Sequence, residues 1–200
     1  MELMTSWDDG YIADTQIARL LTKYKLPGRF FIPNNCRLLP GYIHSLHTQG
    51  FTIGGHTVSH PEDLKWLIRE NLIREIVDNK KWLEEIIDAP IKHFCYPSGR
   101  YGLREIEEVK NAGYETARTT LVGNIVKQVN PYKDHPTVHV RPDRKEYEGV
   151  YWLDYAKERF MAAKATGGAY FHVWGHSWEV SQFGLWEELE ELFKFINENK

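Results

Sequence analysis

The chain has 200 residues, a net charge of −3 and a sequence pI near 6.3, a balance that argues against a general nucleic-acid binder. Hydrophobic residues make up 42% and charged ones 26%, an ordinary globular mixture that excludes a disordered chain. A chain of this size buries about 70% of its unfolded surface, so Cys36 and Cys95, far apart in sequence, need not form a disulfide.

No apolar run approaches the roughly 20 residues of a membrane helix. The first residues lack a basic start followed by an apolar stretch, so no signal peptide is visible and a cytoplasmic location is expected. Aromatics reach 14% with seven Trp, which suits either a large aromatic core or a cleft that stacks sugar rings.

In chain order, residues 3–7 read as a first strand and Asp14–Tyr24 as a helix with Ile17, Leu20 and Leu21 at helical spacing. Arg29–Ile32 is a second strand stopped by Pro33, residues 41–48 a short helix, and 51–53 a third strand ending in Gly54 and Gly55. Pro61 starts a helix that the apolar spacing carries to Asp88. A fourth strand over 91–96, a helix over Leu103–Asn111 closed by Gly113, and a fifth strand over 114–118 follow. Residues 119–136 are the least periodic and read as a long loop. Strands at 137–141 and 169–174 alternate with helices at 151–165 and 185–196. Strands each followed by a helix or loop predict a single α/β domain with a parallel sheet, either a barrel or doubly wound. In both, functional residues gather at the carboxyl ends of the strands.

Those ends carry the chemistry. The first strand runs into Asp8-Asp9-Gly10, either a surface turn or two carboxylates made compatible by a cation. The third leads into His56-Thr57-Val58-Ser59-His60, two imidazoles four residues apart that suit one metal ion, or a pair of solvent-facing histidines. The fourth gives Tyr96-Pro97-Ser98-Gly99, a strand-to-helix turn that can also present a backbone amide to an oxyanion. On the seventh, Tyr170, His172, Trp174 and His176 share one face, and either histidine is a candidate general acid. His44, His47, His93, His135 and His139 read as surface or hydrogen-bonded residues.

The order Ser6-Trp7-Asp8-Asp9-Gly10, His56-Thr57-Val58-Ser59-His60, Tyr96-Pro97-Ser98-Gly99 and a late hydrophobic-x-His resembles the polysaccharide deacetylases with a NodB-homology domain. The resemblance covers nearly the whole chain. It implies a distorted (β/α) barrel of about seven parallel strands holding one divalent metal, zinc first, with cobalt, nickel or manganese as alternatives. Asp9, His56 and His60 match the metal ligands, and Asp8 the base that deprotonates the attacking water. Ser98, after Pro97 and Tyr96, matches the oxyanion amide. His176 fits the acid better than His172, and Trp174 then belongs to the pocket for the acetyl methyl.

Two positions depart from the family pattern. Cys95 stands where the family has an Arg that pairs with the base, leaving Arg100 and Arg141 as candidates to replace it. The sixth-strand Asp motif is blurred, with Asp143 as the candidate to orient the acid. The expected activity is removal of acetyl groups from N- or O-acetylated sugars. Hydrolysis of small, including cyclic, amides and a decayed carbohydrate-binding protein are the alternatives. No nucleic-acid or membrane partner is expected.

Overall fold

The computed structural model describes residues 1–167 and 169–200. Seven strands, β1 (Glu2–Asp8), β2 (Arg29–Ile32), β3 (Thr52–Gly55), β4 (His93–Cys95), β5 (Thr116–Arg118), β6 (Val138–His139) and β7 (Tyr170–Gly175), form one sheet in the order β5-β4-β3-β2-β1-β7-β6. Every pairing is parallel. The sheet curls into a distorted, incompletely closed (β/α) barrel. The seam between β5 and β6 is filled by the segment after β5, where Arg118 bridges Asp134, and the Asp134 amide donates to Ala117 O at 2.9 Å.

Seven helices clothe the sheet: α1 (Asp14–Tyr24), α2 (Pro40–Thr48), α3 (Arg69–Ile87), α4 (Leu103–Asn111), α5 (Trp152–Ala165), α6 (Ser177–Gln182) and α7 (Trp186–Asn199). Their apolar stripes supply the contacts with the sheet. On α3, Leu72, Ile76, Asn79, Leu83 and Ile87 recur at steps of three and four and are all buried. On the strands, alternation sends Trp7, Phe30, Phe94, Ala117 and Phe171 outward under the helices, where Phe160 of α5 meets Phe171 edge-on at 5.2 Å. The opposite faces of those strands turn Ser6, Asp8, Arg118, His172 and Trp174 into the barrel. A barrel interior usually holds branched apolar side chains. This one is polar, and its groups must therefore satisfy one another.

Two elements differ from expectation. The helix expected from Pro61 to Asp88 breaks: Leu64–Trp66 is a 3₁₀ turn capped by the Asp63 side chain at 3.0 Å, and Leu67 and Ile68 are extended before α3 begins. The apolar period continued through the break because Leu64 is buried on the same side. The helix α6, directly after His176, has too few apolar residues to show a period. No helix among the described residues is long and apolar enough to cross a membrane.

The pair Gly54 and Gly55 is dictated by close approach. A Cβ on Gly54 would lie 2.5 Å from the Phe31 ring, and one on Gly55 would lie 2.2 Å from the Tyr114 hydroxyl and 2.9 Å from Asn79 Oδ1. That Asn79 oxygen accepts the His56 amide at 2.8 Å, and its Nδ2 donates to Ile32 O at 3.0 Å. Gly55→Ala should therefore cost about 1–3 kcal/mol through overpacking. Urea denaturation would show a lower midpoint with an unchanged slope, and an unshifted midpoint would refute the packing argument.

Candidate active site and metal centre

Asp8 ends β1 with its side chain inside the barrel and only 2% exposed. Its Oδ2 forms an ion pair with Arg118 Nη2 from the end of β5, and the same Nη2 lies 2.8 Å from Cys95 Sγ. The Arg118 guanidinium also lies 4.5 Å from the centre of the Trp174 ring. Burial works to raise the Asp8 pKa, but the charges of Arg118, His56 and His176 outweigh it and hold the carboxyl below its ordinary value. Asp8 Oδ1, by contrast, is buried with no hydrogen-bond partner among the described residues.

The chain then turns abruptly. Asp9 (φ 76°) and Gly10 (φ 63°) are both left-handed, and the Asp9 amide donates to Phe31 O at 3.1 Å. The turn sends the second carboxylate away from the first and toward the loop after β3. Asp9 Oδ1 lies 3.6 Å from His56 Nε2 and 3.5 Å from His60 Nε2, and its Oδ2 accepts from Trp178 Nε1 at 3.0 Å. Thr57 (φ 71°), His60 (φ 52°) and Ser98 (φ 54°) are left-handed as well. Such residues favour glycine, so their gathering around one site marks strain held for a purpose.

Donor atoms of Asp9, His56 and His60 all lie within 4.8 Å of one another. Their chemistry fits a divalent ion. The His56 Nδ1 is 2.8 Å from Cys95 O, and a carbonyl can only accept, so this nitrogen carries the proton. In the neutral ring the lone pair is then on Nε2, facing Asp9, which is the tautomer a metal needs. Burial, and then the charge of His56, lower the His60 pKa and favour its neutral ring, whereas at His56 the pull of Cys95, Asp9 and Asp8 outweighs burial and raises the pKa, so a cation seated there would displace a proton. One carboxylate and two imidazoles are a donor set suited to zinc-type ions and leave room for water and substrate. The loop is pinned from outside by Glu75, which accepts from the Ser59 hydroxyl at 2.7 Å and the Ser59 amide at 2.8 Å.

His176, just beyond β7, brings Nε2 to 4.0 Å from Asp8 Oδ2 and 3.8 Å from Asp9 Oδ2. Its Nδ1 donates to Glu179 Oε2 at 2.5 Å. Glu179 is itself buried and also meets His139 Nε2 at 2.9 Å and Arg141 Nη1 at 2.6 Å. Burial opposes the His176 imidazolium, but Glu179, Asp8 and Asp9 raise its pKa above the usual value. His172 has other company. It is fully buried, with Nε2 2.8 Å from the Ser6 hydroxyl and Nδ1 2.6 Å from the Tyr170 hydroxyl, and no hydrogen bond or ion pair joins it to Asp8 or Asp9 among the described residues.

The remaining sequence candidates divide. Trp174 lies flat on His139, ring centres 3.9 Å apart, and borders His176 at 5.3 Å. The Ser98 backbone turns left-handed between buried Pro97 and Gly99. The Tyr96 ring, however, stacks on Tyr101 at 4.5 Å and donates its hydroxyl to Tyr132 O, so it packs in the shell beside β4. Neither candidate for the missing arginine reaches Asp8. Arg100 pairs with exposed Glu62 at 2.9 Å, and Arg141 bridges Glu179 and Asp143. Arg118 occupies that place. Asp143 is exposed and touches Arg141, while Glu179 holds His176. Both missed residues left a signal: period-two alternation on β5 turns Arg118 inward, and Glu179 follows His176 by three residues at a helix start.

A model of polysaccharide deacetylases matches residues 2–117, more than half of the chain. The chain belongs to the polysaccharide deacetylase family. The match ends one residue before Arg118, and His176 and Glu179 also lie beyond it. A comparison with curated proteins found no match. Among solved structures, Streptococcus pyogenes deacetylase PplD in complex with acetate is 20% identical with a TM-score of 0.61, over 66% of this chain and 62% of its own. The Bc1960 peptidoglycan N-acetylglucosamine deacetylase is 14% identical with a TM-score of 0.68, over 98% of this chain and 80% of its own. The Bacillus anthracis CE4 family pseudoenzyme BA3943 is 13% identical with a TM-score of 0.63, over 96% of this chain and 60% of its own. This chain thus spans less than two thirds of the first and third. At such identities the likeness is one of fold, and because the fold also serves a pseudoenzyme, activity has to be argued from side chains.

In this deacetylase-family barrel the Asp8–Arg118 pair has a measurable signature. Arg118→Met should destabilise the protein by about 3–5 kcal/mol, because it strands a buried carboxylate. Adding Asp8→Asn should recover much of that loss. Urea unfolding of the wild type, both single variants and the double variant gives the coupling; purely additive effects would mean that the two side chains do not act as a pair.

Proposed function

We propose that this polysaccharide deacetylase family member hydrolyses the acetyl group from an N-acetylated sugar or oligosaccharide. The observation that carries the reading is convergence: Asp8, the Asp9/His56/His60 donor cluster and His176 meet at the carboxyl end of one barrel, from three separate segments. A divalent ion held by Asp9, His56 and His60, zinc foremost with cobalt, nickel or manganese as alternatives, would polarise the acyl oxygen and ease ionisation of water near neutral pH.

The chain's own groups account for the proton movements. Asp8 keeps Oδ2 on Arg118 and leaves Oδ1 free to accept a proton from the attacking water. Arg118 keeps that carboxylate ionised and fixes its plane. In this reading the Ser98 amide of the Pro97–Gly99 turn donates to the developing oxyanion, and Trp174 borders the acetyl methyl. His176, its Nδ1 proton held on Glu179, delivers the proton of Nε2 to the departing amine nitrogen. A cleft of about 330 Å³ adjoins Asp9 and His60 and is lined by Tyr11, Asn35 and Arg37, a size and polarity suited to a sugar ring.

Asp8→Asn should lower turnover by roughly 10²-fold or more while leaving bound metal per chain unchanged. Acetate release from N-acetylglucosamine oligomers measures this, and full activity in the variant would remove Asp8 as the base. O-acetylated xylan and a cyclic amide run alongside set the substrate class; ring opening without acetate release would replace the proposal by a cyclic amidohydrolase. His60→Ala should reduce metal content by elemental analysis, and chelation of the wild type should abolish activity until zinc is returned. Unchanged metal content in His60→Ala would take that histidine out of the cluster.

A further inference from the structure

The barrel has a second cavity, at the end opposite Asp8. Its wall is built from the first residues of several strands: Glu2 of β1, Arg29 of β2, His93 of β4, Thr116 of β5 and Tyr170 of β7. Glu2 and Asp8 are the two ends of β1, so the cavity and the candidate active site lie roughly 20 Å apart at the rise of a strand. Buried Ser6, Phe31 and His172 fill the barrel between them. The volume is about 390 Å³, within the range of small-molecule sites.

Arg29, whose guanidinium stands 5.9 Å from the centre of the Phe31 ring, has a hydrogen-bonding capacity that the fold leaves unused. Its guanidinium makes no hydrogen bond and no ion pair among the described residues, and its Nε is buried without a partner. The neighbouring polar groups are already engaged. Tyr170 donates its hydroxyl to Asp134 Oδ1 at 2.6 Å, Lys127 holds Glu2 at 2.5 Å, and His93 Nδ1 meets the Thr116 hydroxyl at 2.8 Å. Burial, and then the charge of Arg29, push the His93 pKa down to about 4, so that ring adds no second charge at neutral pH. Arg29 is half-buried, and a guanidinium whose Nε is shut off from water without a partner gains by meeting a bound anion.

We propose that this cavity is a binding site for a small organic monocarboxylate, its carboxylate seated on Arg29 and its apolar end against Met4, Val129 and Pro131. The planar guanidinium fork matches a carboxylate in a bidentate pair. A single negative charge is favoured over a dianion because Asp134 and Glu2 share the same cavity and repel a second one. The apolar lining gives a short hydrocarbon tail a place that inorganic phosphate could not use.

Two-dimensional NMR of the whole chain, titrated separately with sodium butyrate and inorganic phosphate, tests the assignment. Butyrate should produce saturable shifts at the amides of Met4, Thr116, Val129 and Asn130, and phosphate should bind more weakly. Arg29→Gln should weaken butyrate binding at least about tenfold, as loss of a charge-assisted hydrogen bond implies. The wild-type shift map stands whether or not that variant folds. No saturation, shifts confined to the Asp9 and His60 amides, phosphate binding as tightly as butyrate, or undiminished binding by a folded Arg29→Gln protein would each overturn the proposal.

Discussion

A carboxylate inside a barrel costs several kcal/mol in lost hydration unless its charge is answered on the spot. Asp8 is such a carboxylate, and Arg118 is what answers it. The pair constrains more than the two residues. To bring a guanidinium to the end of β1 from the end of β5, the barrel must curl far enough for these non-adjacent strands to face each other across its interior. The guanidinium in turn lies over Trp174 at 4.5 Å and donates to Thr119 O at 2.9 Å, which ties β7 and the segment after β5 to the same charge. With Oδ2 taken up in this way, the free Oδ1 has its direction set by the pair.

Backbone strain does the complementary work. Adjacent residues on a strand point to opposite faces, so Asp8 and Asp9 could not both serve one site if β1 simply continued. The left-handed turn at Asp9 and Gly10 resolves this, and the left-handed residues Thr57 and His60 bring their loop to meet it. Gly10 is required at its position twice over: by φ of 63° and by Cys36 Cβ, which would lie 2.8 Å from an added Cβ. The cost of these conformations is offset by pinning from outside the site, with Glu75 on Ser59, Asn79 on the His56 amide and Ser177 on buried Asp14 at 2.5 Å.

This division explains what was legible in the sequence. The parallel α/β fold and the strand ends could be read because apolar alternation and helical spacing are local signals, and Asp8-Asp9 and His56/His60 are short motifs within one turn of chain. Arg118 could not be placed from sequence in the same way. An isolated Arg at the end of a short strand looks like a surface residue until the barrel closes and leaves it fully buried against a carboxylate 110 positions away. Glu179 was obscured because α6 is a six-residue helix without an apolar stripe. Arg100 and Arg141 were nearer to the motifs in sequence, but each is held at the surface by an acidic neighbour of its own.

The interior between the two ends of the barrel follows from the same rule that buried polar groups must be paired. If Tyr170 donates to Asp134, its oxygen must accept from His172 Nδ1, which leaves His172 Nε2 to accept from Ser6. The directions of all three hydrogen bonds are therefore fixed, and His172 is locked as a neutral ring, its pKa lowered by burial despite Asp134. A histidine held on both nitrogens has no proton to lend and no lone pair to spare. His176 differs on that point: Glu179 takes one nitrogen and the other faces the carboxylates. Two histidines four residues apart, one on β7 and one just beyond it, thus acquire opposite characters, one as part of the barrel filling and one open to the cleft. What separates them is whether the second ring nitrogen has a partner, a property of the folded barrel that the alternation of the strand does not contain.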